Sequence, residues 1–338
     1  MPTDADARQL YDDAVIVDAL NVSNWDSPQV FQSLQAGGVT VMNATLVTWE
    51  NFAQTMDTIA AWLRRFDQRQ DQLLQIRTID DIHAAKRAGK VGVILGWQNA
   101  TPIENDLDRI AVFYGLGVLI IQLTFHERNL LGNGCWERRD DGLSNFGVDA
   151  VREMNRLGIL IDLSHAGDRT TIEAIELSEK PVACTHANAR AWCDHKRNKT
   201  DEALTKLAER GGVAGATCFN NFMPRGMDST IEDYVDAIED LVQRIGIDHV
   251  GIGTDFTQNQ PQSFWNYIGS QQGTKLPSTF YDPSKRRQDV AMSPRGLETP
   301  DRLPDLAPAL MNRGYRGEDI VKILGGNWMR LFGEVWQG

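Results

Sequence analysis

Short apolar runs alternate with amphipathic stretches along most of the chain. The runs are VIVD (15–18), VTVMNATL (39–46), VGVILGW (91–97), GVLIIQLT (117–124), ILIDLSH (159–165), PVACTH (181–186), GVAGATC (212–218) and HVGIGTDF (249–256). They are rich in Val and Ile and nearly continuous in apolar character, which suits strands buried on both faces. Between them lie segments of helical period, such as ENFAQTMDTIAAWLRRF (50–66), VDAVREMNRLG (148–158) and IEDYVDAIEDLVQRIG (231–246). In the last of these, Ile231, Val235, Ile238, Leu241, Val242 and Ile245 fall at helical spacing, and Gly246 supplies a stop. Eight such alternations predict a closed parallel (β/α)8 barrel, the TIM-barrel class, rather than an open doubly wound sheet. No linker rich in Pro, Gly or Ser divides the chain, so residues 1–338 read as one barrel domain. The exception to regularity is 258–298, polar with several Gly and Pro, which reads as an excursion over the barrel mouth, serving as a lid or an interface. The chain closes on the helical stretch RGEDIVKILGGNWMRLFGEVW.

Composition narrows the partners. A net charge of −12 argues against nucleic acid and anionic membrane surfaces, both of which call for basic patches. It does not exclude an anionic small molecule, because local charge in a pocket can oppose the global sign. Cys135, Cys184, Cys193 and Cys218 form no CxxC pair and read as reduced thiols. The first residues, MPTDADARQLYDDA, have no apolar signal core, and no apolar run approaches the ~20 residues of a membrane span. The expectation is a cytoplasmic protein acting on a small molecule.

In a barrel of this class, chemistry sits at the C-terminal ends of the strands. Those ends carry Asp18 and Asn21, then Asn43 and Thr45, then Gln98 and Asn99, then His126, Glu127 and Asn129. The later strands end at His165, at His186, at Asn220 and Asn221, and at Asp255. Three histidines thus follow neighbouring strands, and an aspartate follows the last one. Neutral imidazole is a common ligand for zinc and similar ions, so the pattern points to a metal or acid–base site. His83, His195 and His249 fall in helical or connecting segments and receive no role. Trp97, Phe125, Trp136 and Phe219 are candidates to line a pocket.

Several ordered motifs resemble the membrane dipeptidase (renal dipeptidase) family of the amidohydrolase superfamily. They are GLSNFGVDAVREMNRLGILIDLSHAG (142–167), THANARAW (185–192), HKRNKTDE (195–202), HVGIGTDF (249–256) and GGNWMRLF (325–332). The resemblance implies a hydrolase with two zinc ions bridged by a glutamate, one ion held by a His-x-Asp pair after the first strand. It implies metal-ligand roles for His165 and His186, proton handling by Asp255 and a grip on a substrate carboxylate by Arg197. Where the family has its His-x-Asp pair this chain has Leu20 and Val22, and Gln98 stands in place of the bridging glutamate. The family's substrate-contacting histidine aligns with Phe125, and His126 follows one position along. If the strand continued that far, alternation would point those two side chains in different directions.

The expectation is therefore one zinc ion or none, with His165, His186 and weakly Gln98 as ligands and His126 or Asp255 completing the set. The activity expected is cleavage of an amide or related bond in a small carboxylate-bearing molecule. Asp255 and His126 would carry the catalysis, and Arg197, Asn129 and Phe125 would contact the substrate. A homodimer is the assembly the resemblance allows. Two other readings use the same pocket: a lyase or isomerase working through His126, Glu127 and Asp255, and a catalytically dead binding protein.

Overall fold

The structure is a computed structural model, and it describes residues 4–278 and 292–336. The strands are β1 (Val17–Asn21), β2 (Val41–Val47), β3 (Leu73–Gln75), β4 (Val91–Trp97), β5 (Val118–Gln122), β6 (Leu160–Asp162), β7 (Ala183–Cys184), β8 (Val213–Ala216) and β9 (Val250–Ile252). Eight of them run in the order β1-β2-β4-β5-β6-β7-β8-β9, every adjacent pair parallel. The ring closes just past the ends of β9 and β1, where Asp255 N–H donates to Leu20 O (3.0 Å) and Val22 N–H to Phe256 O (2.8 Å). This is the predicted (β/α)8 barrel.

The additional strand is β3, which the apolar pattern does not reveal. It pairs Leu73, Leu74 and Gln75 with Val91, Gly92 and Val93, while β5 pairs with the later residues Leu95, Gly96 and Trp97. Thus β3 fills the lower half of an edge of β4 that β5 covers only at its upper half. Three residues are too few to show a period.

The strands are shorter than their apolar runs. β6 stops at Asp162 and β7 at Cys184, and beyond them side chains take over the backbone donors: Thr185 N–H goes to Asp162 Oδ1 (3.0 Å). The helices fall where the period placed them, at Phe52–Gln68, Asn145–Leu157 and Ile231–Ile245. The last starts at a reciprocal cap between Thr230 and Asp233 and ends at Gly246, whose φ of 83° suits glycine. Its inner face adds Tyr234 and Ala237 to the predicted residues, while Ile231 and Val242 are only partly buried.

The GGNW motif closes the floor of the barrel. Trp328 is fully buried in one apolar cluster with Val17, Val41, Ile94, Ile120, Leu160 and Val213, residues drawn from six strands, and its Nε1 donates to Ile252 O (3.0 Å). A Cβ at Gly251 would stand 2.2 Å from Trp328 Nε1, so that strand position has room only for glycine. The stretch 258–298 contains the helix Gln262–Ile268, and its residues 279–291 lie outside the described residues. No helix of the described residues is long and apolar enough to cross a membrane.

Candidate active site at the barrel mouth

A cavity of about 560 Å³ opens at the C-terminal ends of the strands. His165, His126, Phe125, Gln98 and Asp255 line it, as expected from the strand ends. His186 stands directly behind His165, their Nε2 atoms 3.0 Å apart. Phe125 stacks on His165 (4.4 Å between ring centres) and His126 on Trp136 (3.6 Å). Phe125 and His126 both face the cavity because β5 stops at Gln122, so strand alternation no longer governs them.

Two buried aspartates organise this mouth, and each does so through a threonine on a neighbouring strand end. Asp162 accepts from Ser164 N–H (2.9 Å), Thr185 N–H (3.0 Å) and the Thr185 hydroxyl (2.5 Å). Asp18 accepts from Thr254 N–H (2.8 Å), the Thr254 hydroxyl (2.9 Å) and Asn21 Nδ2 (3.0 Å). Thr185 immediately precedes His186, and Thr254 immediately precedes Asp255. The sequence reading places Asp18 at a strand end and leaves Asp162 inside the run ILIDLSH, and the roles of both depend on which strand lies alongside.

The first clamp also sets a tautomer. The Thr185 hydroxyl gives its one proton to Asp162, so it must accept from His186 Nδ1–H, 2.8 Å away. His186 Nε2 is then left with its lone pair directed at His165 Nε2. The pair is satisfied when His165 Nε2 carries the proton, and the same two nitrogens are the ones that would hold a metal ion. A metal-binding histidine is commonly fixed through its second nitrogen in this way.

Asp255 has a left-handed backbone, φ 60°, an uncommon conformation for a residue with a side chain and one that clusters at functional sites. Burial pushes its carboxyl up to about 7 against the opposing pull of Arg197. Burial likewise pushes Asp18 up to about 6, although its hydrogen bonds favour the ionised form. Burial, with the charge of Arg197 second, holds His126, His165 and His186 well below the usual imidazole range, so all three are neutral bases.

The structure does not bring every predicted site residue to the cavity wall. Arg197 is fully buried, donating from Nη1 to Ser164 O and from Nη2 to His186 O (2.6 Å), and among the described residues its Nε has no partner. It ties the β6 and β7 ends together from behind. Asn129 donates to Asn99 Oδ1 (2.9 Å) and Leu123 O (2.7 Å) and shapes the loop after β5. Trp97 packs edge-on against Phe113 in the core, whereas Phe125, Trp136 and Phe219 line the cavity. Two residues emerge that the sequence did not single out. His195 lines the cavity, its Nδ1 accepting from Arg197 N–H (3.1 Å). Lys199 is buried, donating to Ala166 O (2.8 Å) and the Thr171 hydroxyl (3.1 Å).

The donor set can be tested against a metal. Two histidine nitrogens on one tetrahedral zinc stand about 3.3 Å apart, given bonds near 2.0–2.1 Å, so the 3.0 Å pair fits a single ion. Among the described residues no group of three or more His, Cys, Asp or Glu is arranged to hold an ion. Val22 presents an apolar side chain to the cavity, and Gln98 Nε2 donates to the Thr45 hydroxyl (3.0 Å), which leaves Oε1 as the atom of that side chain able to meet a cation.

A parallel barrel with histidines and a strained aspartate at its C-terminal mouth defines the amidohydrolase architecture. The chain belongs to the membrane dipeptidase family (peptidase family M19), whose model matches residues 6–268. Among solved structures it is similar to an amidohydrolase from Pseudomonas aeruginosa, at 37% identity and a TM-score of 0.93, with 98% of this chain and 99% of that one covered. It is 30% identical over 260 residues to an uncharacterized dipeptidase of Schizosaccharomyces pombe, covering 75% of this chain and 55% of the relative. It is 28% identical over 268 residues to the dipeptidase tcpJ of Claviceps purpurea, covering 78% and 56%. The chain thus spans little more than half the length of these curated relatives.

Proposed function

We propose that the protein is a dipeptidase-like hydrolase that cleaves an amide or related bond in a small carboxylate-bearing molecule, with one zinc ion or none. The observation that carries this reading is that His165 and Asp255 line one cavity with His186 directly behind His165, while buried aspartates clamp Thr185 beside His186 and Thr254 beside Asp255. The family membership supports the reaction class. A metal held by His165 and His186 would polarise the scissile carbonyl and acidify a water. Asp255 accepts the proton of the attacking water and returns it to the leaving amine. Arg197 favours the ionised, basic form of Asp255 against the pull of burial. His126, neutral, stacked on Trp136 and 4.7 Å from the His165 ring, orients the substrate beside that histidine.

Arg197 and Lys199 are both buried, and among the described residues neither has a carboxylate within ion-pair distance. Arg197 feels the charges of the buried Asp255 and Asp162, so the floor of the cavity carries both signs. Two substitutions test the reading. Asp255→Asn keeps the shape and removes the base, so kcat falls by about 10²-fold or more while fold and metal content stay put. Arg197→Met weakens binding of carboxylate-bearing ligands. Unchanged turnover in Asp255→Asn removes the aspartate from the mechanism.

A further inference from the structure

Resting on the hydrolase reading, we infer that the substrate carries no free amino group on its acyl side: it is an N-acylated amino acid with an apolar or aromatic acyl group rather than a dipeptide. Much of the cavity lining is aromatic. Phe219 stacks with Phe222 (5.0 Å), Trp265 lies 6.4 Å from Phe219, and Phe264 meets Trp265 edge-on (5.3 Å). These side chains come from the loop after β8 and from the helix Gln262–Ile268, so two separate segments contribute one continuous apolar face. Val22 adds an aliphatic group from the end of β1.

A protonated α-amine removed from water needs an anion or several acceptors to offset its lost hydration. Among the described residues, the carboxylates lining the cavity are Asp255 and Asp228. Asp255 is committed to the proton transfers, and Asp228 is exposed on the turn Gly226–Asp228. Among the described residues no buried carboxylate other than Asp255 lines the cavity, so an ammonium seated against Phe219, Phe222, Phe264 and Trp265 has only the exposed Asp228 to meet. An aromatic acyl chain meets that wall without any such penalty.

The test compares two ligands that differ only in the amino group. They are the ketomethylene isostere of phenylalanyl-alanine, which hydrolysis cannot cleave, and its desamino counterpart. Calorimetry on the native chain is expected to show the desamino ligand bound at least about tenfold more tightly. Phe219→Ala should reduce that ratio to about threefold or less by weakening the desamino ligand. Equal or tighter binding of the amine-bearing ligand, as an aromatic cage for ammonium would give, overturns the inference, and so does failure of both ligands to bind. Turnover of 3-phenylpropanoyl-alanine is measured in parallel. A binding preference without turnover counts against the hydrolase reading and still supports the inference about the cavity.

Discussion

Gly253→Ala is the substitution whose consequences the structure specifies most sharply. Gly253 lies between the end of β9 and the Thr254–Asp255 pair. A Cβ there would fall 1.7 Å from Thr185 O, 2.8 Å from Thr185 C and 3.4 Å from His186 Cα. The first contact is short of ordinary van der Waals separation by about 1.5 Å or more. The obstructing atom is backbone, so no rotamer change relieves it. Thr185 is also pinned by Asp162 through its N–H and hydroxyl, so any retreat strains that clamp and moves His186 relative to His165. Overpacking of a well-filled interior costs about 1–3 kcal/mol, and a clash between two backbones belongs at the upper end. A displacement near 1 Å at a reacting group costs about 10²-fold in rate. Urea unfolding read by circular dichroism should show a lower midpoint at unchanged slope, and kcat/KM on an N-acyl amino acid should fall about 10²-fold. Gly115→Ala is the control, since a Cβ there meets nothing within 4 Å. Native stability and native kcat/KM in Gly253→Ala would refute the close approach of β7 and β9 that positions His186.

Gly333 sits inside the helix Asn327–Val335 with open space where a Cβ would go, so Gly333→Ala should raise stability by about 0.5–1 kcal/mol in the same unfolding assay. Trp328→Ala removes the floor of the barrel and a hydrogen bond to Ile252 O, and should cost about 3–5 kcal/mol by the same measurement. Thr185→Val removes the acceptor that fixes the His186 tautomer, so zinc affinity measured by chelator competition should fall about 10–100-fold, with Thr185→Ser restoring it. Elemental analysis of protein loaded with excess zinc and then desalted should find at most one tightly held ion per chain, because Leu20 and Val22 offer no ligand; two tight ions at the mouth would contradict that.

The barrel was legible because burial on both faces makes its strands read as continuous apolar runs such as VGVILGW and GVLIIQLT. β3 escaped notice because it completes half an edge of β4 and needs no apolar run of its own. His165 and Asp255 could be placed at the mouth from strand order alone, since a closed barrel aims every strand end at one rim. The direction of Phe125 and His126 could not, because it depends on where β5 stops, and a loop after a strand obeys no period. Arg197 and Lys199 illustrate a further limit. Their charges lead a reader of the sequence to expect solvent or substrate, yet both serve as donors to buried carbonyls of the β6 and β7 ends. The roles of Asp18 and Asp162 are pairwise across strands and become visible only once neighbours are known.

Whether the mouth of this barrel is a hydrolytic centre is tested most directly by the turnover of 3-phenylpropanoyl-alanine by the native chain and by Asp255→Asn, each supplied with zinc and followed by release of free alanine. Native enzyme should release alanine, and Asp255→Asn should do so about 10²-fold more slowly or worse, at unchanged melting temperature and zinc content. Equal rates in the two proteins, or no alanine from this substrate or from simple dipeptides with either protein, would contradict a hydrolytic site built on Asp255.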